Sequence, residues 1–416
     1  MNLAALHREL KFLLGQRFVL GLLVVAFLLS CLAVMSGLNE AKTQQDTIDQ
    51  LKTQDAAERH NAIAGHSDFG SAAYYIFHYT YDPPGDLAFA AMGARHEQPW
   101  QHRIRMLALE GQIYESDTAN PELAFAGHFD FALLVAVLTP LFLILLLHDL
   151  KAAEKAAGRY ELLVATGGSN EPFKSRARVR VALLAAAVLL PFISAALGSG
   201  VSLGSVTLFS LVCLAQILFW SFVCVWVANK AYDGPTLATV LVAIWLGFTF
   251  VIPSLTSAVI AWVVPTPSGG DIVMTQREAV NDAWDLPKQA TMEPFIAEHP
   301  EWAEYASVSR PFEWKWYFAF QQVGDQTAAE ISEQRQAALQ RRQEIATWAA
   351  VLSPASLTQL GLRKLAGTDS AAARSYQQRV RDFHASLRDF YYPKLFKDVA
   401  YDVSHFDDLP EFEAGS

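Results

Sequence analysis

Five apolar runs divide the chain: Phe18–Leu38, Phe129–His148, Val179–Gly198, Leu203–Val227 and Pro235–Val264. Each has about 20 residues or more, enough to cross a hydrocarbon core of about 30 Å as a helix. Water is absent from that core, so lone strands and exposed loops leave backbone groups unpaired, and helices are the form that satisfies them. The polar stretches between the runs also carry helical periods. Ile331, Ala338, Ile345 and Leu352 recur every seven residues, joined by Leu339 and Trp348. Tyr376, Val380, Phe383, Leu387, Phe390 and Tyr391 step by four, three, four, three and one. These stripes predict two packed helices resembling a short antiparallel pair, with Pro354 and Gly367 punctuating the stretch between them. No alternating strand pattern competes over a comparable length.

Smaller patterns refine the ends. Leu3, Leu6, Leu10, Leu13 and Leu14 share one face, with Arg8, Glu9 and Lys11 on the others. That spacing predicts a basic amphipathic helix lying in the inner interface before the first span. Glu40–His60 is polar and free of Gly and Pro, so it can extend the first span as one long helix. Pro83, Pro84 and Gly85 break structure, and Trp100–Tyr114 resumes a helical pattern. The fifth run is too long for a simple crossing: 30 residues make about 45 Å of helix against about 30 Å of core. Pro253 would kink it. A steep tilt and a broken helix whose second half, Ser254–Val264, turns back are both compatible with this length.

Charge gives the orientation. Lys151, Lys155, Arg159, Lys174, Arg176 and Arg178 crowd the loop after the second run, and Arg8, Lys11 and Arg17 precede the first. Basic residues near span ends favour the cytoplasm, which sets the N-terminus and this loop inside. The segments 39–128 and 265–416 then fall outside, with 13 and 22 of the 42 acidic residues against 6 and 15 of the 32 basic ones. The net charge of −10 thus belongs to them, and it argues against a nucleic-acid partner. The expected fold is an all-α polytopic membrane protein with α-helical extracytoplasmic domains. Along the chain come an interfacial helix (1–17), a span (18–38), an extracytoplasmic insertion (39–128), a span (129–148), a cytoplasmic loop (149–178), three spans (179–264) and an extracytoplasmic domain (265–416). Membrane lipid surrounds the spans.

Catalytic signatures are missing. There is no GxxxxGK[ST], HExxH, GxSxG or CxxC, so the chain has no phosphate-cradling loop of its own. His60, His66, His78, His96, His102 and His128 stand at spacings that match no compact metal set and read as solvated surface histidines. Cys31, Cys213 and Cys224 all lie in apolar runs, so no disulfide framework is expected. Phe27–Cys31 loosely resembles a lipoprotein cleavage site, but the apolar run continues past it, as in an uncleaved span. The aromatic cluster Pro311–Phe320 fits core or interfacial anchoring. Asp130 and His148 mark the two ends of the second run, where interfacial roles are cheaper than a buried charge.

The inner loop is the most specific stretch. Glu154–Gly168 reads EKAAGRYELLVATGG, and it is similar to the loop of type-2 ABC permeases in which a carboxylate, a Gly and a Leu-rich turn precede the third span. Asn120–Phe131 (NPELAFAGHFDF) and Trp348–Asp369, with Ser353–Pro354–Ala355 and Ala366–Gly367–Thr368–Asp369, extend the likeness. The set resembles a bacterial subfamily of these permeases with large extracytoplasmic insertions after the first and fifth spans and no assigned substrate. The resemblance implies an inner-membrane transporter subunit that is not itself an enzyme and binds no cofactor. ATP and Mg would sit on a separate ABC ATPase subunit, and a second permease subunit, identical or not, would complete the dimer. Glu154, Gly158, Glu161, Leu162, Leu163 and Thr166 would form the coupling helix that docks on the ATPase. Leu162 and Leu163 would be its apolar anchors, and Glu154 and Glu161 would pair with basic residues of the partner. The resemblance further implies a sixth span after 265–416, and no sixth apolar run precedes Ser416. The rival expectation, from a different class, is a non-transporting membrane anchor or signalling protein whose outer domains bind a partner.

Overall fold

A computed structural model describes residues 9–13, 15–114, 129–167 and 171–415, without the side chains of Thr166 and Gly167. Most of the expected interfacial helix, the Asn120–His128 part of the second matching stretch and Ser416 lie outside these residues, within which 9–13 is helical. Among the described residues the structure is mainly α with little sheet, and five helices are long and apolar enough to cross a membrane: Arg17–Gly65, Phe131–Ala156, Glu171–Gly198, Leu203–Ala228 and Gly234–Val263. It is a polytopic membrane protein. The second helix is the central one, with two-thirds of its apolar stretch buried against a third or less in the others. Phe131, Phe192 and Phe209, contributed by the second, third and fourth helices, stack at its end with centroids 5.1 and 4.6 Å apart. The first helix runs unbroken for 49 residues, about 74 Å at 1.5 Å per residue, more than twice a hydrocarbon core. Its polar half therefore stands clear of the bundle, as the uninterrupted Glu40–His60 pattern predicts.

The fifth helix is also continuous over 30 residues, so its second half does not turn back. Instead, residues 247–251 widen into a π turn in which Ile252 N donates to Gly247 O. In that register the next donor would be Pro253, which has none, and Phe248 O is left open. The second helix repeats the device at 134–138, followed by Pro140. A carbonyl without a partner in an apolar core costs several kcal/mol, and side chains from other elements donate to carbonyls at or beside these breaks. Gln216 Nε2 donates to Ala136 O at 3.1 Å, Trp245 Nε1 to Val137 O at 3.1 Å, and Ser353 Oγ to Phe248 O at 2.7 Å. Beside Pro191 of the third helix, Ser30 Oγ reaches Val188 O at 2.6 Å.

The two polar segments fold into one body at one end of the bundle. Its core joins Phe69, Ile76, Ile104 and Ile113 of the first segment to Phe295, Trp316, Leu387 and Tyr391 of the second. A short antiparallel pair, His78–Tyr81 with Gln101–Ile104, is an exception to the all-helical expectation. Trp316, Phe318 and Phe320 are buried, which places the aromatic cluster in the core. The Tyr376–Tyr391 stripe is also buried along the helix Ser370–Phe396, as its period predicts. The Ile331–Leu352 stripe is not its mate. The helix Trp314–Ala349 buries its N-terminal half, while Trp348 is 81% exposed and Leu352 60% exposed. The reason is direction: its C-terminal half leaves the body and runs beside the end of the fifth helix, Ile252–Val263.

At the tip the chain reverses. Ser353 N-caps the helix Pro354–Ala366, accepting from Ser356 N at 3.1 Å, and this helix packs on the second and fourth helices and on both π turns. Leu362 and Ala366 belong to the bundle's core rather than to the polar body's. Gly367 ends the helix at φ +65°, a left-handed conformation open to glycine, and Thr368 Oγ1 then donates to Ala91 O.

Candidate functional site

The basic loop after the second run is built at the opposite end from the polar body. Gly158, at φ +67°, turns the chain between the short helices Ala152–Ala156 and Tyr160–Gly167. A side chain there would meet no neighbour, so the constraint on this position is conformational. The first short helix is held down by Glu154, whose carboxylate is buried and accepts from Arg159 Nε at 2.8 Å and from Arg176 Nη1 at 2.9 Å. Arg176, rooted in the third helix, also faces Glu9 at 3.5 Å and lies 4.3 Å over the Phe12 ring. Arg180, one turn further, donates to Leu146 O of the second helix and to Gln16 Oε1 at 2.8 Å. A buried pair broken on one side leaves an uncompensated charge, costing about 3–5 kcal/mol. The loop is therefore fastened to the third spanning helix through Arg176 and, by the same side chain, to the helical stretch 9–13 that precedes the first.

Glu154, expected to pair with a partner's cation, is buried, and each of its oxygens already accepts from an arginine of the same chain. It is a fastening residue. Tyr160 stacks on Phe173 at 5.6 Å and Leu163 is half-buried, so the second short helix leans on the third spanning helix through that side. Glu161 and Leu162 are on the exposed side, with Leu162 66% exposed. Thr166 lies in the same helix, and its side chain is outside the described residues. Of the six residues singled out in the sequence, Glu161 and Leu162 have exposed side chains, Gly158 is exposed at the turn, and Glu154 and Leu163 face inward.

The polar body holds the other cluster of ionisable groups, and sequence spacing gave no sign of it. Asp325 accepts from the backbone N–H of Leu109 at 2.8 Å and of Glu110 at 3.1 Å, from Gln276 Nε2 at 2.8 Å and from Arg388. Burial opposes its ionisation, but Arg388, His384 and these N–H groups outweigh it and hold the carboxyl below the usual range. Glu110 receives both arms of Arg381, at 2.6 and 3.0 Å. His384 is buried, and burial together with the Arg388 charge pushes its pKa down to about 3. Every strong acceptor here is occupied from within, so the cluster ties the two polar segments together and leaves no group free to act on a substrate. His78 and His102 are buried as well, pushed by burial to about 3 and about 4, so these two are core residues and not the expected surface histidines. Among the described residues no group of three or more His, Cys, Asp or Glu side chains could hold a metal. Asp130 caps the second spanning helix through Leu133 N at 2.8 Å and also accepts from Met92 N at 3.2 Å, tying that helix to the first polar segment, while His148 Nδ1 contacts Ile144 O at 2.9 Å within its own helix.

A family model described as Domain of unknown function (DUF3526) matches residues 272–414. The matched stretch covers most of the second polar segment, including the helix that returns to the bundle. No curated protein and no solved structure matches the chain.

Proposed function

We propose that the chain is the membrane-spanning permease subunit of a bacterial inner-membrane ABC transporter, driven by a separate ATPase subunit and paired with a second permease subunit. In this reading ATP and Mg bind the ATPase, the N-terminus and the loop around Glu154–Thr166 are cytoplasmic, and the polar body is extracytoplasmic. The observation that carries it is the fastening of the inner loop. A contact that transmits a push must be rigid, and the Glu154–Arg159–Arg176 network ties the helix Tyr160–Gly167 to the third spanning helix while Glu161 and Leu162 remain displayed. Movement of that helix would be passed to the bundle, and through the two π turns to the helix Pro354–Ala366 beneath the polar body. The basic residues of this end favour the cytoplasmic side, where an ATPase is found.

Leu162→Asp should release or uncouple the ATPase, since a central apolar anchor carries most of a small interface's energy. Glu154→Ala should also uncouple, through a loosened loop, and should lower the melting temperature of the detergent-solubilised chain, which Leu162→Asp should not. Co-purification of the ATPase from the native membrane, with ATP hydrolysis measured on each variant, checks both. Full association and unchanged stimulated hydrolysis in Leu162→Asp would overturn the coupling role and favour the anchor reading.

A further inference from the structure

A cavity of about 730 Å³ opens where the polar body meets the bundle. One wall is the outer part of the fifth helix, the other the descending half of Trp314–Ala349, and the floor is the start of the returning helix at Ser353. Phe248, which Ser353 bonds, is the fifteenth of the 30 residues of Gly234–Val263, so the floor lies level with the middle of a spanning helix. A half-length helix that begins at that depth sets its N-terminus beside the cavity floor, with the Ser353 hydroxyl engaged between Phe248 O and Ser356 N.

The lining is graded along this depth. Near the floor, Pro253, Ala349 and Ala350, with Leu360 and Ile260 above them, alternate with the uncharged polar Thr256, Ser257, Ser353, Ser356 and Gln359, and no charged side chain reaches this depth. Near the mouth, at the end of the fifth helix, stand four arginines: Arg335, Arg342, Arg363 and Arg374. Arg342 Nε donates to Val264 O at 2.8 Å, Arg335 donates to Pro267 O, and Arg374 donates to Gln343 Oε1. None of the four makes an ion pair among the described residues. Elsewhere in the same body Arg95 and Arg379 pair with Asp82, Arg381 with Glu110 and Arg388 with Asp325. The Nε atoms of Arg335 and Arg363 are buried with no partner. Glu97 and Asp369 are the acidic residues of the wall, and Asp369 is engaged in capping Ala372 N at 3.0 Å. In a chain of net charge −10, four guanidinium groups, none ion-paired among the described residues, face one cavity whose wall carries two carboxylates, and that excess of positive charge marks a place left for an outside anion.

We infer that this cavity binds an anionic amphiphile, with a phosphate-bearing headgroup held by the four arginines and an apolar tail lying along the fifth helix toward the exposed Val351 and Leu352. Guanidinium forks suit phosphate oxygens, and the cavity's uncharged depth suits a chain that a free phosphate lacks. The inference rests on the cavity and on the spanning helices, and it is independent of any ATPase.

The test uses the full chain in nanodiscs of phosphatidylcholine doped with phosphatidylglycerol, followed by native mass spectrometry of the lipid retained after extraction. The wild-type chain should retain phosphatidylglycerol over phosphatidylcholine by at least tenfold. Arg335→Gln with Arg342→Gln, and separately Arg363→Gln with Arg374→Gln, should each erase that preference, while Arg341→Gln, on the exposed face of the same helix, should keep it. Unchanged circular dichroism and melting in the paired variants separate lost binding from lost folding, and Lys at the same positions should restore part of the preference. Equal retention of both lipids by the wild-type chain, or full retention by both paired variants, overturns the site. Displacement by inorganic phosphate as effective as by dihexanoyl phosphatidylglycerol overturns the apolar half and assigns the cavity to a soluble anion.

Discussion

Single polar side chains inside the bundle stand at breaks in the helical hydrogen-bond ladder. Pro140, Pro191 and Pro253 each remove a donor; Ser353 reaches the Phe248 carbonyl that Pro253 leaves open, and Gln216 and Ser30 donate to Ala136 O and Val188 O close to the other two prolines. Trp245 adds a fourth donation at Val137 O. These residues lie far apart in the sequence, 158 positions for Ser30 and Val188, so no local pattern reveals the pairing. Of the three prolines, Pro253 carried the expectation of a kink in the sequence, and Pro140 and Pro191 did not. Gln216→Leu should destabilise the detergent-solubilised chain by about 1–3 kcal/mol, the cost of leaving Ala136 O buried without a donor. A thermal melt against the wild-type chain measures it. No loss of stability would show that Ala136 O is satisfied another way.

At the scale of elements, long periodic segments were legible and re-entrant ones were not. The five apolar runs and the Tyr376–Tyr391 stripe announced themselves because burial is one-sided and continuous there. The helix Pro354–Ala366 carries Gln359, Arg363 and Lys364 among its apolar residues, so hydropathy reads it as part of a polar domain. Its neighbours, not its composition, bring Leu362 into the bundle's core. The Ile331–Leu352 heptads misled for a related reason: a stripe reports that one face avoids water, and lipid satisfies it as well as a partner helix does. The exposed Trp348, Val351 and Leu352 stand beside the middle of the fifth helix, where the surroundings are hydrocarbon. A spin label at Val351→Cys in liposomes should thus be relaxed more by oxygen than by a water-soluble nickel complex. The reverse order would lift this tip out of the membrane and, with it, the floor of the arginine cavity.

The whole molecule is a bundle and a polar body sewn together by buried polar contacts, and the body's own assembly depends on neutral histidines. His78 and His102 on the strand pair and His384 on the helix Ser370–Phe396 join the two polar segments, with His78 edge-on to Phe383 at 5.8 Å and His102 stacked on Tyr376 at 5.6 Å. Their surface identity was the natural reading of the sequence, since burial of a histidine depends on contacts that spacing does not encode. In the folded chain burial lowers them to about 3, about 4 and about 3, against 6.5 for an unconstrained histidine. The unfolded chain therefore takes up protons first as the pH falls. Below about 6.5 each histidine that stays neutral in the fold should cost about 1.4 kcal/mol per pH unit, down to its folded value, and above that pH the cost vanishes. Asp325 works in the same direction, but only below the ordinary carboxylate range near 3.8. Asp55, whose carboxyl burial pushes up, works in the opposite direction near the same pH. The window from pH 7 to 5 thus isolates the histidines. The melting temperature of the full chain should be flat from pH 8 to 7 and fall steadily from 6.5 to 5, and His384→Asn should reduce that fall by one histidine's share even though it starts from a lower value. A melting temperature constant between pH 7 and 5 would mean that these rings already carry protons in the fold, and the buried, neutral seam between the two segments would have to be redrawn.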